Sequence, residues 1–255
     1  MIPDVVCLPG SVAPAAQRYA PLKAHIGDRA RLHLKDLEVY AGDTPPPDYS
    51  VDMELAAVEK FADSLRLDRF HLIGYSGGGF LALAFAGIRP ERLLSLALFE
   101  PARIPGQMTP AEQAIDDALR SHLAGLEGPE FMSAFVRLQL KPGVQPPPPP
   151  AQPAQGMQKR PAGIAAMMQS FSAYQFDREL LRGAGFPVYL GYGDLTNEIE
   201  SVKAAVLAGL FGDVRVKRYP GVHHFVPADQ IYTAEHALAL EDLWARASGP
   251  EFALQ

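Results

Sequence analysis

Cysteine is almost absent: Cys7 is the only one in 255 residues. No disulfide can close within the chain, and no cysteine-based metal site can be built. Its place in a short apolar run, Asp4–Leu8, suits a small buried hydrophobe better than a reactive thiol. Positive charge is also short, with 23 Lys and Arg against 29 Asp and Glu, and the basic residues are scattered. That argues against a nucleic-acid surface. Long apolar runs are missing as well. Phe80–Ile88 and Leu93–Phe99 fall well below the ~20 residues that span a bilayer. The N-terminus carries Asp4 and no basic stretch, and Pro9-Gly10 cuts its apolar run, so no signal peptide is expected. The expectation is a soluble, cytoplasmic protein, with a homodimer as one option. The length suits one α/β domain with a large core.

What the chain does have is Gly74-Tyr75-Ser76-Gly77-Gly78, a Gly-x-Ser-x-Gly motif. A strand-like run, Arg69–Ile73, precedes it, and good helix formers, Gly79–Ala86, follow. Ser76 therefore sits where a strand turns sharply into a helix. Such a turn strains the serine backbone and lifts its hydroxyl above the sheet. The helix N-terminus beneath it favours developing negative charge. A second segment, Pro220-Gly221-Val222-His223-His224-Phe225, follows the last strand-like run, Asp213–Tyr219, where Val214 and Val216 are expected inward.

Between these, strand and helix patterns alternate, which predicts a parallel sheet with right-handed crossovers. Ala30–Tyr40 begins with alternating Arg31, His33 and Lys35, as an exposed edge strand would. Ser50 caps a helix whose stripe is Val51, Leu55, Val58, Phe61 and Leu65. Leu93–Phe99 is a buried strand ending at Glu100-Pro101. From about 102 to 183 only helical stretches appear: one opened by the capping box Thr109–Glu112, one over Gly128–Leu140, and one over Gly163–Leu181. Pro146–Pro150 is extended polyproline. Phe186–Gly193 resumes the sheet, and Thr233 caps a final helix bearing Leu238, Leu243 and Trp244.

Residues 69–90 and 220–225 together resemble the α/β-hydrolase superfamily. The resemblance implies an α/β fold with a mostly parallel sheet that lacks the family's first two strands. It implies a core of residues 1–101 and 184–255, with a helical cap of 102–183 inserted after the strand that follows the elbow helix. Ser76 would be the nucleophile and His224 the base, with His223 as the fallback. Pro9-Gly10-Ser11 matches the family's His-Gly-x turn with Pro9 in place of His. The backbone N–H groups of Ser11 and Gly77 would then form an oxyanion hole. The acid is open between two residues. The usual Gly-x-x-Asp register falls on Thr196 counted from Gly193, and on Asp194 counted from Gly191. Some members, among them zearalenone lactonases, place the acid one strand earlier, which here is Glu100. Glu100 is preferred and Asp194 is the alternative. The Met167, Met168, Phe171 and Tyr174 stripe suits a substrate pocket or plain packing equally.

The implied activity is hydrolysis of an ester or lactone of a small molecule through an acyl-enzyme, with no cofactor. The same triad serves carbon–carbon bond hydrolysis and perhydrolysis, and a silent hydrolase fold could act as a binding module. A dinucleotide-binding oxidoreductase is the rival from another class. Gly77-Gly78-Gly79-Phe80-Leu81-Ala82 fits Gly-x-Gly-x-x-Ala, and Glu100 lies where a ribose-binding acid belongs. Against it, three residues separate Ile73 from the first required glycine. The His223-His224 pair invites a metal, but no His-Glu-x-x-His motif or acidic partner completes a site.

Overall fold

Residues 5–8 alternate strictly in the direction their side chains face, as a strand's period of two requires. In the computed structural model, which describes residues 2–146, 148, 156–226 and 231–249, Val5 and Cys7 join one buried cluster and Val6 and Leu8 another. The sheet around them has six strands: β1 (Asp4–Leu8), β2 (Arg31–Leu34), β3 (Phe70–Tyr75), β4 (Leu93–Phe99), β5 (Val188–Gly193) and β6 (Val214–Tyr219). Their order is β2-β1-β3-β4-β5-β6, and every pairing is parallel. Successive strands step one way from β1 to β2 and the other way from β3 onward. The order therefore reverses between β1 and β3, and ligands of such sheets collect at the carboxyl ends there.

Helices cover both faces. Helices α1 (Ala15–Ile26) and α8 (Ala234–Ala247) pack with Val5, Cys7, Ile73 and Phe99. Helices α2 (Val51–Ser64), α3 (Gly77–Ile88) and α7 (Ile199–Leu210) pack with Val6, Leu72, Leu96 and Val188. Ser50 caps α2 by accepting from the Met53 amide at 3.2 Å. Strand β2 is the edge expected from its charges, and Arg31 grips Asp4 of β1 through two hydrogen bonds of 2.7 and 2.5 Å. Between β4 and β5 lie α4 (Pro110–Leu123), α5 (Gly128–Leu138) and α6 (Arg160–Ala173). The Thr109 capping box is formed in full.

Some expectations fail. Val216 is 42% exposed, not inward, because β6 is the outer edge of the sheet and its centre is uncovered. Thr233 precedes α8, but its hydroxyl meets the His236 ring at 3.0 Å instead of capping a backbone amide. The helix expected to run to Leu181 stops at Ala173, and a short 3-10 turn takes Arg178–Leu181. Most of the Pro146–Pro150 run lies outside the described residues.

Candidate active site

Strand β3 passes into α3 through one residue, Ser76, at φ 52° and ψ −117°. That backbone is unfavourable for a residue with a Cβ and costs roughly 1–3 kcal/mol. Its surroundings hold it there. The Ser76 amide donates to the Phe99 carbonyl at 3.0 Å, and its carbonyl accepts from Gly79, Phe80 and Ala102 at 2.9, 3.1 and 2.8 Å. A side chain on Gly78 would stand 2.4 Å from the Pro9 carbonyl, so the elbow and the end of β1 can touch only through glycine.

His224, on the loop after β6, lies beneath this turn. Its Nε2 is 3.0 Å from Ser76 Oγ, and its Nδ1 is 2.6 Å from Glu100 Oε2. A carboxylate on Nδ1 makes that nitrogen the proton carrier and leaves Nε2 to accept from the serine hydroxyl. The imidazole stacks on Tyr75 at 5.1 Å, and the Tyr75 hydroxyl donates to the His224 carbonyl. Ser76, Glu100 and His224 are all buried.

Glu100 also has a positive φ, 46°. Its second oxygen, Oε1, accepts from the Gly193 amide at 2.7 Å and from the Thr196 hydroxyl at 2.5 Å. Burial pushes its pKa up. The hydrogen bond and charge of His224, with Thr196 and Gly193 added, outweigh burial and hold it below the usual carboxylate range. Thr196 cannot itself be an acid. It occupies the register position of the family's usual acid, and its hydroxyl there holds the carboxylate from the neighbouring strand.

Asp194 is not brought to His224. Its carboxylate accepts from the Gly221 amide at 2.8 Å and so fastens the turn that leads to the histidine loop. His223 turns away from Ser76, and its Nδ1 accepts from the Phe225 amide at 3.2 Å.

The Ser11 and Gly77 amides face the same space. Neither donates to an acceptor among the described residues, and a Cβ built on Gly77 would lie 3.9 Å from the Ser11 nitrogen. Buried Arg160 of α6 donates to the Ser11 carbonyl at 3.2 Å while its guanidinium lies 4.0 Å over the Tyr40 ring. Nothing in the sequence pattern singled it out.

Above these groups a cleft of about 760 Å³, counted out to its open mouth, runs between the sheet ends and α4, α5 and α6. Ser11, Ser76 and Gly77 form its floor, while Leu123, Phe135, Met167, Met168 and Phe171 supply apolar walls. The Met and aromatic stripe of α6 divides. Met167, Met168 and Phe171 line the cleft, and Phe171 also stacks on Phe80 at 3.9 Å. Tyr174 meets Phe80 edge-on and lines a different depression.

This geometry weighs against a dinucleotide. Both oxygens of the Glu100 that would have to bind a ribose are occupied by protein donors. Among the described residues no three His, Cys, Asp or Glu gather as a metal site, and no helix is long and apolar enough to cross a membrane.

Comparison with known proteins agrees with the fold. One curated relative, abhydrolase domain-containing protein abhd-5.2 of Caenorhabditis elegans, is 33% identical over 76 residues, which are 28% of this chain and 17% of that protein. The match thus spans well under two thirds of the relative's length. NosK from Streptomyces actuosus has a TM-score of 0.67 at 20% identity, with 98% of this chain and 100% of that one covered. A thermophilic esterase from Thermogutta terrifontis has a TM-score of 0.70 at 17% identity, over 97% and 91% of the two chains. At these identities the structural likeness speaks to the fold alone. A family model described as alpha/beta hydrolase fold matches residues 5–229, and the chain belongs to that family.

Proposed function

We propose that the protein is a serine hydrolase that cleaves an ester or lactone of a small organic molecule through an acyl-enzyme. The observation that carries this reading is the unbroken relay Ser76–His224–Glu100, with contacts of 3.0 and 2.6 Å, at the floor of an apolar cleft. A serine hydroxyl is a poor nucleophile until a base takes its proton.

In this scheme Ser76 Oγ attacks the carbonyl carbon as its proton passes to His224 Nε2. Glu100 accepts the Nδ1–H, fixes the tautomer and stabilises the imidazolium. The oxygen that becomes negative lies between the Ser11 and Gly77 amides, which donate to no other acceptor among the described residues. The C–O bond then breaks, and the imidazolium gives its proton to the departing alkoxide. Water, deprotonated by His224, then attacks the acyl carbon, and the imidazolium returns the proton to Ser76 Oγ as the acyl–serine bond breaks. Residues 102–183 act as the cap, and α4, α5 and α6 set which acyl and alcohol groups fit. No cofactor takes part in these steps.

The test is labelling with a fluorophosphonate followed by peptide mapping, together with turnover of a nitrophenyl ester. Covalent label on Ser76, lost in Ser76→Ala along with turnover, is the expected result. Label on another serine, or turnover that survives in Ser76→Ala, refutes the assignment.

A further inference from the structure

One wall of the cleft is not apolar. Arg103 stands on the segment between β4 and α4, next to Ala102, whose amide holds the Ser76 carbonyl at 2.8 Å. Arg120 projects from α4, and both arginines line the Ser76 cleft. Their guanidiniums converge on one neutral group, the Ser172 hydroxyl. Arg103 Nη1 donates to it at 2.9 Å, and Arg120 Nη2 donates to it as well. The Ser172 hydroxyl in turn donates to the Met168 carbonyl at 2.6 Å.

The charges around this point do not balance. Asp116 accepts from Arg120 Nε at 2.5 Å. Glu112 is taken by Arg178 through bonds of 2.8 and 3.0 Å. Arg103 has no carboxylate within ion-pair distance among the described residues. Three guanidiniums therefore face two carboxylates, and the surplus charge sits in the cleft wall. Burial pulls Arg103 below its ordinary value, and Arg120 and Arg178 add to this against Asp116 and Glu112. Two cations sharing a hydroxyl repel each other, and an anion placed between them would relieve that repulsion. A guanidinium pair presents parallel N–H donors matched to a carboxylate.

We propose that Arg103 and Arg120 form an anion subsite of the Ser76 cleft, and that the preferred substrates are esters or lactones carrying a carboxylate. This rests on the hydrolase reading above. Asp116 competes for the same donors and tunes the subsite.

The experiment compares carboxylate esters with uncharged twins of the same shape. Monoethyl esters of linear dicarboxylic acids are set against their ω-amides, and 4-acetoxybenzoate against 4-acetoxybenzamide. One pair places the charge in the acyl half and the other in the leaving group. In at least one series kcat/KM should favour the carboxylate by tenfold or more, mostly through KM. Arg103→Gln should bring that ratio close to one, Arg103→Lys should keep a clear preference, and Asp116→Asn should raise it. Equal turnover of the twins by the unmodified protein overturns the subsite. So does an Arg103→Gln variant that slows both twins alike, or an Arg103→Lys variant no better than Arg103→Gln. A calorimetric titration of Ser76→Ala with the same pairs separates the two claims. If no ester is cleaved, the hydrolase reading fails. Binding of the carboxylate tenfold tighter than the amide would still uphold the subsite, and equal binding would still reject it.

Discussion

The floor and the roof of the cleft are built differently. The floor is made of strand ends and α3, which buries every residue from Gly77 to Gly87. The roof is α4, α5 and α6. Of these, α4 buries only Glu112 and Leu123, and α5 buries only Phe131. In the floor two non-glycine residues, Ser76 and Glu100, are held at positive φ by close packing on all sides. Such strain persists only where the surroundings over-determine it. Leu123, Phe131 and Ile164 gather the three roof helices into a small cluster of their own, and the roof meets the floor through α6, whose Met167 and Phe171 join the main core. A dense floor fixes distances between reacting atoms, and a sparse roof can change its side chains without disturbing them. The two regions should therefore respond differently to substitution.

The largest expected effect lies in the floor. Glu100→Gln should lower kcat by on the order of 10⁴, the loss seen when the equivalent acid of a serine protease is made neutral. Asp194→Asn should cost little beyond loosening the Gly221 turn. The contrast is read from kcat for the two variants side by side, and a dead Asp194→Asn with an active Glu100→Gln would reverse the assignment. His224→Ala should likewise abolish turnover while His223→Ala keeps much of it.

Next comes Thr196→Val, which keeps the volume and removes one donor from Glu100 Oε1. A hydrogen bond to a charged group contributes ~1.5–3 kcal/mol, so kcat should fall roughly tenfold or somewhat more. The Glu100 pKa should rise, and the acid limb of the pH–rate profile should move up with it. An unmoved limb would mean that Thr196 only fills space.

Roof substitutions should act on choice of substrate. Met168→Ala or Phe171→Ala should shift preference along a series of acyl chain lengths. The change should be about tenfold, since one methylene in an apolar pocket is worth ~1–3 kcal/mol. Equal losses on acetate and on longer chains would place these residues with the floor.

A last effect, on stability and not on turnover, concerns the sheet itself. Burial pulls His71 of β3 down to about 4, where it is neutral and meets Ser95 Oγ at 2.8 Å. A histidine whose folded pKa lies below its unfolded value binds fewer protons in the folded state. Stability from this group is therefore full above pH 6.5 and falls as pH drops toward 4. Urea midpoints for the wild type and His71→Gln, measured at pH 7 and pH 4.5, should show a shallower decline in the variant, by on the order of 2 kcal/mol.

The sequence carried the fold and the ends of the relay unequally. Ser76 and His224 stand in short motifs whose flanks announce a strand, a turn and a helix, so their neighbourhood could be read locally. Glu100 could be reached only by asking which strand ends lie beside the elbow, and two residues remained open until their partners were placed. Thr196 stood in the register of an acid without being one, and Arg103, Arg120 and Arg160 left no local mark. Their significance lies in contacts across long stretches of chain, such as Thr196 with Glu100 and Arg160 with Ser11. Val216 failed for a related reason: alternation tells which residues share a face, but not whether anything covers it.

Thr196 has a further consequence. Its strand-end loop is sewn to the tail of α5: Leu140 pairs with Thr196 as an isolated antiparallel bridge. The Lys141 amide donates to Leu195 at 3.0 Å, and the Asn197 amide donates to Gln139 at 2.9 Å. The residue that grips the acid is thus stitched to the roof. A roof that swung from this side would tug the acid out of line with each opening. That seam fastens the roof at this edge, as Arg160 on Ser11 and Phe171 on Phe80 fasten it at α6.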